Sequence, residues 1–552
     1  MPSATKPLEV EIKVTKTERV FPKTVPRHEQ AIPLSLLDST LTNFAHTNAV
    51  WLFEPLTREE VLDLDEHLRH TLGTTLSSYP QWVGQLKSID VLDDALVPDE
   101  AKGFPVHARR FRRVYTHFGI AADVGVEFVS ATSSATTNSL YLTERTEAQP
   151  LWDRKDGNFG KFVPSSDVAH ALHPNEPDTE TGLRKPIMAI QCTTLSDGGL
   201  VLAIKTAHPL ADITALVRFV KDWASVSRAV VEGLASPVPT PVFEPARLDN
   251  LAAGDINAEE PDPAIIRRTE SLPLHRYDWW AAPGKPPTAF LNTAKPVPPA
   301  GKPIPWTEWD LEAPVSDYTV HLTKEQVDFL WKEATNGTEA DSPRISKHDA
   351  VLAHVWSCIM RARQLGIGKD DGPVYCNLAL GVRSAFKLGE DFIGSPIMMM
   401  NVELPYSQVS CVESGNTTGA MVYIARKIRD TISRINNPSS LADHLHSVAY
   451  EKSPQRIWQA FLGRRHIVVT TWARAGIYDV NFGLGSRVRY ADSVVPNLDS
   501  SIVIKEAPSS PREFFSGTRP SWTDSGVDIS VHIATDDMER LLKDPLLLPR
   551  LD

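Results

Sequence analysis

A proline-rich stretch at residues 236–315 constrains the fold more than any other feature of this sequence. It carries the runs SPVPTPVFEP, EEPDPA, PGKPP and KPVPPAGKPIP. Proline fixes φ and lacks an amide donor, so these runs predict neither a helix nor an inner strand. The stretch therefore predicts a long linker between two domains of similar size, residues 1–235 and residues 316–552.

The composition is that of a folded, soluble protein with an acidic surface. Hydrophobic residues make up 42% and charged residues 23% of the 552 residues, and the formal net charge is −12. This balance, with no long run of Lys and Arg, argues against binding to nucleic acid. An anionic nucleotide ligand remains compatible, because a pocket can be basic on an acidic protein.

The N-terminus MPSATKPLEVEIKV has neither the apolar segment nor the small-residue cleavage site of a signal peptide. The longest strongly apolar stretches, such as residues 395–402, are far shorter than the ~20 residues that cross a bilayer. We therefore expect a cytoplasmic monomer without a membrane span.

The four cysteines lie far apart and form no C-x-x-C pair. This spacing predicts buried free thiols, and it predicts neither a zinc site nor a disulfide framework. The four residues are Cys192, Cys358, Cys376 and Cys411.

Helix and strand signals alternate in both halves, which predicts a mixed α/β protein. Capping boxes at residues 57–60, 323–326 and 346–349 predict three helix starts, the first for a helix that contains Leu64, Leu68 and Leu72. The predicted strands are residues 186–194 and 200–206, joined by a tight turn, and residues 466–471 and 527–533.

His208 lies in the most informative segment, GGLVLAIKTAHPLADITALVRFVKDW. A predicted strand ends near Thr206 and an amphipathic helix begins at about Asp212, which places His208 on the turn between them. Imidazole suits a general base, since its unperturbed pKa is about 6.5. The spacing alone leaves two readings open and favours the structural one, in which His208 is a surface histidine and Asp212 an ordinary helix N-cap.

Six ordered landmarks resemble the acyl-CoA-dependent acyltransferases of the BAHD family, and the fungal branch with the trichothecene 3-O-acetyltransferases is the most similar. The landmarks span nearly the whole chain. They are PLSLLD (33–38), LSSYPQWVGQL (76–86), the segment from Pro186 to His208 with HPLAD (208–212), SKHDAVLAHVW (346–356), Arg383 with Gly394, and TTW (470–472) with NFGLG (481–485).

The resemblance implies two similar-sized α/β domains of the chloramphenicol acetyltransferase type, joined by a long crossover. It also implies that His208 lies in a channel between the domains and removes the acceptor's proton. The acyl group, expected to be acetyl, then passes from acyl-CoA directly to a hydroxyl, or less favourably an amine, of a secondary metabolite. The resemblance implies no bound cofactor and no metal, and the absence of a G-x-S-x-G motif agrees with the lack of an acyl-enzyme.

The resemblance also assigns roles to residues beyond His208. Asp212 is structural and pairs with Arg383. Thr470 and Trp472 lie near the reaction centre and are candidate donors to the oxyanion, although Trp472 is equally well a core tryptophan. The loop with Asn481, Gly483 and Gly485 lies on the coenzyme A side, and both glycines are also readable as turn residues.

Three positions depart from the family pattern. Asn481 replaces an aspartate, Leu484 a tryptophan, and Ser395 the asparagine that follows Gly394. We interpret these changes as specific to a branch of the family, and they put a coenzyme A contact from the 481–485 loop in doubt. The aromatic cluster of Tyr277, Trp279 and Trp280 in the linker either lines an acceptor channel or pins the linker, and we favour pinning.

Rival functions remain open. Condensation domains of peptide synthetases carry a second histidine and a glycine where this chain has Ala207 and Ile213, so that reading is disfavoured. A donor bound to a carrier protein, a hydrolytic or eliminating reaction, and a catalytically silent homologue that binds a metabolite or a partner are not separated by sequence.

Overall fold

Two large mixed sheets organise the chain. The computed structural model describes residues 10–26, 28–42, 46–56, 63–89, 96–173, 175–274, 277–278, 302–303, 310, 312–337, 343–365, 371–410, 417–452, 463–508 and 521–551.

The first sheet has six strands in the order β1-β6-β8-β9-β3-β16. The predicted hairpin is confirmed at its centre, where β8 and β9 pair antiparallel across the turn 196–199. Gly198 adopts a φ of +85° in this turn, which favours glycine. The strands are β1 (Ile12–Val20), β3 (Thr47–Phe53), β6 (Val126–Ser133), β8 (Met188–Leu195), β9 (Leu200–Thr206) and β16 (Val488–Ser493).

The second sheet has seven strands in the order β14-β13-β15-β17-β18-β12-β7. The strands predicted at 466–471 and 527–533 are confirmed as its members β15 and β18. The strands are β7 (Leu151–Asp153), β12 (Val315–Leu322), β13 (Pro373–Gly381), β14 (Ile397–Pro405), β15 (His466–Thr471), β17 (Ser501–Glu506) and β18 (Val527–Ala534).

Two smaller sheets and the helices complete the fold, and no helix of the described residues is long and apolar enough to cross a membrane. The strands β2 (Gln30–Pro33), β5 (Arg113–Phe118) and β4 (Gln85–Ile89) form one small sheet, and β10 (Tyr277–Asp278) pairs with β11 (Lys302–Pro303). The helices are α1 (Leu36–Thr40), α2 (Leu64–Leu76), α3 (Thr137–Leu140), α4 (Arg145–Ala148), α5 (Ile213–Val231), α6 (Ala246–Asp249), α7 (Pro263–Glu270), α8 (Lys324–Thr335), α9 (Lys347–Arg363), α10 (Tyr406–Ser410), α11 (Thr417–Ile435), α12 (Pro438–Ala449) and α13 (Thr535–Leu541).

Each large sheet contains one strand whose residues lie on the other side of the proline-rich stretch in the sequence. β16 pairs with β3 in the first sheet, and β7 pairs with β12 in the second. One apolar core forms around β8, β9 and α5, and the other around α9 and the second sheet. The predicted α/β fold with two sheet-rich domains is confirmed by this architecture, whereas the domain boundaries at 235 and 316 stay a prediction.

Two of the three predicted capping boxes are confirmed. Thr323 caps α8 and Ser346 caps α9, each through reciprocal side-chain and backbone hydrogen bonds. The start predicted for α2 is wrong. α2 begins at Leu64, because Asp63 has an extended backbone and its side chain accepts from Glu66 N. Residues 57–62 lie outside the described residues.

The proline-rich stretch contains two short helices, which the sequence analysis did not predict. Pro263 stands at the first position of α7, where the missing amide donor costs nothing. In α6, Leu248 is buried in the core and Asp249 accepts a hydrogen bond from Leu36 N at 2.8 Å. This part of the stretch is therefore packed against the fold. The side chains of the aromatic cluster 277–280 lie outside the described residues.

Three of the four cysteines are buried free thiols, as predicted. Burial raises the pKa of Cys192, Cys358 and Cys376 above the ordinary thiol value. Such thiols are poor nucleophiles, which fits a role in packing. Cys411 lies outside the described residues.

Candidate active site

His208 opens a single 3-10 turn, His208–Leu210, between the end of β9 and the start of α5. Pro209 supports the turn by fixing φ, and Ala211 N donates to the His208 carbonyl at 3.2 Å. Pro209 and Leu210 are buried, whereas the His208 side chain is half-buried. A buried turn on a rigid strand thus holds a partly accessible imidazole.

Asp212 has two structural partners. Its Oδ1 caps α5 by accepting from Ala215 N at 3.0 Å. Arg383 binds the same carboxylate through both terminal nitrogens, with Nη2 at 2.9 Å from Oδ1. Arg383 also donates to the Gly394 carbonyl at 3.0 Å. The pair therefore ties the start of α5 to the segment 383–394.

Ser395 joins this segment to His208. Its hydroxyl donates to the His208 carbonyl at 2.5 Å and lies 3.4 Å from His208 Nδ1. Its backbone N–H donates to Asp38 Oδ1 at 2.6 Å. The position where the chain departs from the family pattern is therefore in direct contact with the candidate base.

Asp38 contacts the backbone of Ser395 and was not singled out by the sequence analysis, although it ends the 33–38 landmark. It forms a capping box with Ser35 at the start of α1 and is 1% exposed. Burial raises its pKa to about 7, against three hydrogen bonds that lower it. The capping pattern S-x-x-D was readable in the sequence, but nothing there pointed to residue 395.

The surroundings of His208 favour a neutral imidazole. Burial lowers the pKa of His208, and a hydrogen bond to its own backbone and the nearby carboxylate of Asp212 only partly oppose this effect. His46 is also close enough to interact electrostatically, and its own pKa falls to about 4 because of burial and the charges of Lys205 and His208. A neutral imidazole is the form that accepts a proton.

Thr470 lies on the second sheet and is half-buried. Alternate residues of a strand share a face, so Thr470 is on the same face of β15 as Val468. Val468 packs with Leu41 and Met399. Leu41 follows α1, which itself packs against the His208 turn. Thr470 is therefore on the side of the second sheet that meets the candidate base.

Trp472 is 6% exposed and belongs to the core that also contains Trp223 and Phe482. Its backbone N–H donates to the Ile504 carbonyl at 2.7 Å. This placement fits the core-tryptophan reading. The role of its indole as an oxyanion donor stays a prediction.

The 481–485 loop packs against the far end of α5. Asn481 Oδ1 accepts from Gly483 N at 2.8 Å, and Arg228 donates to the Asn481 carbonyl at 2.9 Å. Gly483 has a φ of +80°, and a Cβ there would lie 2.8 Å from Arg228 Cα. Gly485 also has positive φ, at +74°. Since α5 rises 1.5 Å per residue, Arg228 lies about 20 Å along the helix from its start beside His208.

A cavity of about 670 Å³ opens two residues beyond Trp472 and was not predicted from the sequence. Arg344 and Arg474 line it, are exposed, and have no carboxylate partner among the described residues. His348 also lines it, and its Nε2 is buried without a hydrogen-bond partner in the described structure. The two arginines suit an anionic ligand. The cavity nevertheless carries charges of both signs, because its lining also includes Lys347, Glu390, Asp479 and Glu506. Where residues are described, no group of His, Cys, Asp and Glu is arranged to hold a metal ion.

Known proteins resemble this chain over nearly its whole length. A model of the transferase family matches residues 10–92 and 121–546. The acyltransferase AFT15-1 of Alternaria alternata is 22% identical, over 98% of this chain and 97% of its own length. The acyltransferase abl6 of Leptosphaeria maculans is 23% identical, over 98% of both chains.

Solved structures share the fold. TRI101 of F. graminearum, complexed with ethyl coenzyme A, has a TM-score of 0.61 at 15% identity and covers 94% of this chain and 98% of its own. Vinorine synthase has a TM-score of 0.57 at 14% identity and covers 98% and 97%. The family match covers most of the chain, and the two fungal relatives named above are acyltransferases. This chain therefore belongs to the BAHD acyltransferases of the transferase family.

Proposed function

We propose that this acyltransferase moves an acyl group, expected to be acetyl, from acyl-CoA to a hydroxyl of a small-molecule secondary metabolite, with His208 as general base. The observation that carries the proposal is the half-buried imidazole on a rigid turn, held by Ser395. Its lowered pKa keeps it neutral and ready to accept a proton.

The reaction needs no covalent intermediate on the protein. Nε2 of His208 takes the proton of the acceptor hydroxyl while the hydroxyl oxygen forms a bond to the thioester carbon. The tetrahedral oxyanion then collapses, the carbon–sulfur bond breaks, and the leaving thiolate takes the proton from the imidazolium. The products are an ester and free coenzyme A, and the imidazole is again neutral.

Thr470 is the proposed donor to the oxyanion. Its side chain is half-buried on the face of β15 that packs toward α1 and the His208 turn. One such donor typically contributes ~10²–10³ in rate. Trp472 is a weaker candidate, because its ring lies in the core.

The cavity with Arg344 and Arg474 is the proposed site for the phosphates of the donor. Two exposed arginines without carboxylate partners suit phosphate oxygens, which guanidinium groups bind in a bidentate manner. Arg474 holds a φ of +70°, a strained conformation that often marks functional positions. The structure of TRI101 with ethyl coenzyme A supports the choice of donor class.

The acceptor is proposed as a fungal secondary-metabolite alcohol. Two curated fungal relatives are acyltransferases, and TRI101 has been solved with coenzyme A and deoxynivalenol. An apolar, half-buried patch of Ala379, Ile397 and Val468 lies on the same side of the second sheet as Thr470. Such a patch suits the carbon skeleton of an acceptor.

The test compares the wild type with H208Q, using H67Q as the matched control. His67 is also half-buried and bonds Ser227 on α5, about 20 Å along the helix from the catalytic turn. Release of the coenzyme A thiol is measured with acetyl-CoA and longer acyl-CoAs against pools of fungal alcohols, and an acyl-carrier protein is assayed in parallel. H208Q is expected to lose 10²–10⁴-fold in kcat, while its affinity for acetyl-CoA stays near that of the wild type. The kcat of H67Q is expected to stay near the wild-type value.

Equal turnover in H208Q and the wild type would refute the base. Turnover with the carrier-bound donor alone would refute the choice of coenzyme A. Absence of acetyl-CoA binding in calorimetry, together with no acylated product, would favour a homologue without transferase activity.

A further inference from the structure

We infer that Asp38, acting through Ser395, is a positioning residue that fixes the orientation and the tautomer of His208. The inference rests on the proposed function of His208. It links α1, the 394–395 turn and the catalytic turn, three segments separated by more than 150 residues along the chain. No residue of this link touches the reacting atoms except His208 itself.

The hydrogen-bond directions determine the tautomer. A hydroxyl group carries one proton, and the Ser395 hydroxyl donates it to the His208 carbonyl at 2.5 Å. Toward His208 Nδ1, 3.4 Å away, the same oxygen can therefore act only as an acceptor. A hydrogen on Nδ1 satisfies this contact and also the hydrogen bond between the imidazole and the backbone of His208 itself, and it leaves the lone pair on Nε2. This is the tautomer that a base acting through Nε2 requires.

Asp38 holds Ser395 where its hydroxyl contacts both the carbonyl and Nδ1 of His208. Asp38 Oδ1 accepts from Ser395 N at 2.6 Å, and Oδ2 accepts from the Ser35 backbone at 3.0 Å and hydroxyl at 2.6 Å. Both oxygens are therefore engaged, so the carboxylate cannot rotate. The Ser395 backbone is fixed from one side by Asp38 and from the other by the bond from its hydroxyl to His208.

The residue before Ser395 leaves room for this contact. Gly394 has a φ of +138°, a region that favours glycine. A Cβ at this position would lie 3.2 Å from Asp38 Oδ1, closer than an ordinary contact. The Gly394 carbonyl accepts from Arg383 and from Asp212 N. The Asp38 link and the Asp212–Arg383 pair therefore meet at one turn beside the base.

Asp38 is an acidic side chain buried at a cost to folding, which argues for a purpose beyond packing. Asp38 is 1% exposed, and no cation forms an ion pair with it in the described structure. Another buried carboxylate, Asp249, lies close enough to disfavour its ionisation. A buried carboxylate without a cation is unfavourable for folding. A functional gain at His208 explains its presence.

The experiment uses the full-length enzyme and steady-state kinetics with acetyl-CoA. S395A removes the hydroxyl and keeps the Ser395 N–H bond to Asp38. Displacing a base by about 1 Å can cost 10²-fold, so kcat is expected to fall 10- to 100-fold. The KM for acetyl-CoA is expected to change by less than about 2-fold, because Ser395 lines no part of the arginine cavity.

Two variants separate positioning from packing. S395N provides an amide that can donate to the His208 carbonyl and accept from Nδ1–H, so it is expected to restore kcat to within about 5-fold of the wild type. S39A is the matched control, because Ser39 is a buried serine of α1 whose hydroxyl accepts from Val114 N. Its kcat is expected to stay unchanged.

Asp38 is tested by D38N and D38A. D38N keeps an acceptor oxygen for Ser395 N and is expected to retain about 10-fold more kcat than D38A, with equal KM for acetyl-CoA. Melting temperatures identify a variant that does not fold. If one pair of variants fails to fold, the other pair still tests the link, because D38N and D38A change one end of it and S395A and S395N change the other. The link is refuted if the kcat values of S395A and D38N equal that of the control S39A while H208Q is inactive. If H208Q itself is fully active, the proposed function fails instead.

Discussion

Asp212 shows how one carboxylate can have two structural duties. It caps α5 and also binds Arg383, and both side chains are largely buried. Removing one partner of a buried ion pair typically costs 3–5 kcal/mol, because the other charge is left without compensation. A helix cap alone contributes ~1 kcal/mol. The two duties can therefore be separated by mutation.

D212A is expected to lower the free energy of unfolding by about 3–5 kcal/mol. D212N is expected to cost about 1 kcal/mol less, because its amide oxygen still accepts from Ala215 N. Urea denaturation measures both. The control is D262A at the exposed N-cap of α7, which bonds Ala264 N and has no ion pair to lose among the described residues, so its expected cost is much smaller. Equal costs for D212A and D262A would contradict a role for the ion pair.

At this scale the sequence predicted residue types better than contacts. Asp212 and Arg383 were expected as a pair from the resemblance, and the structure brings them together. The link from Asp38 to Ser395 was not predicted, because it spans 357 residues and one end is a backbone N–H. A backbone donor is present at almost every position, so it leaves no trace in the residue pattern. The cavity arginines are likewise brought together only by folding.

Among the elements, α5 connects the catalytic turn at its start with the 481–485 loop at its end. The loop is held by Arg228 and Ser227, which bond the carbonyls of Asn481 and Phe482 at 2.9 Å and 2.8 Å. These hydrogen bonds attach the loop to the end of α5. The departures from the family pattern in this loop therefore affect packing about 20 Å from the base.

G483A is expected to destabilise the fold by more than 1 kcal/mol, since alanine disfavours positive φ and its Cβ would meet Arg228 Cα. N481D is expected to change stability by less than about 0.5 kcal/mol, because a carboxylate still accepts from Gly483 N. Urea denaturation and kcat per folded molecule are measured for both. A raised KM for acetyl-CoA in G483A at unchanged stability would point instead to a donor contact.

Element prediction succeeded where a local signal decides the outcome. The capping boxes at Thr323 and Ser346 and the β8–β9 hairpin are of this kind. It failed at α2, where Asp63 competes with the earlier box, and at α6 and α7, where prolines occupy loops and helix starts. Strand exchange between the sheets was also not predicted, since pairing partners hundreds of residues apart have no local signature.

At the scale of the whole molecule, a buried network of charges joins the two sheets. Lys505 on β17 binds Asp492 on β16 at 2.6 Å, and both side chains are fully buried. Arg154 binds Asp492 at 3.0 Å and Asp317 on β12 at 2.9 Å. The network therefore includes residues from both sheets and from both sides of the proline-rich stretch.

K505M is expected to lower the free energy of unfolding by about 3–5 kcal/mol at pH 7. Burial lowers the pKa of Lys505 to about 8, from 10.5 in the unfolded chain. Between these values the unfolded chain binds more protons at this residue, so its contribution to stability rises with pH. Denaturant unfolding at pH 7, 8, 9 and 10 should show the deficit of K505M growing across this window. A deficit that is constant or shrinks would contradict the lowered pKa.

The exchanged strands also impose an order on biosynthesis. β3 leaves the ribosome early, but its partner β16 ends at residue 493. At about 5–20 residues per second, the nascent chain must wait some tens of seconds with that edge unpaired. An open edge invites pairing with other chains. A translating cell must therefore shield this half-built protein until its last fifth emerges, so chaperone supply can limit its yield.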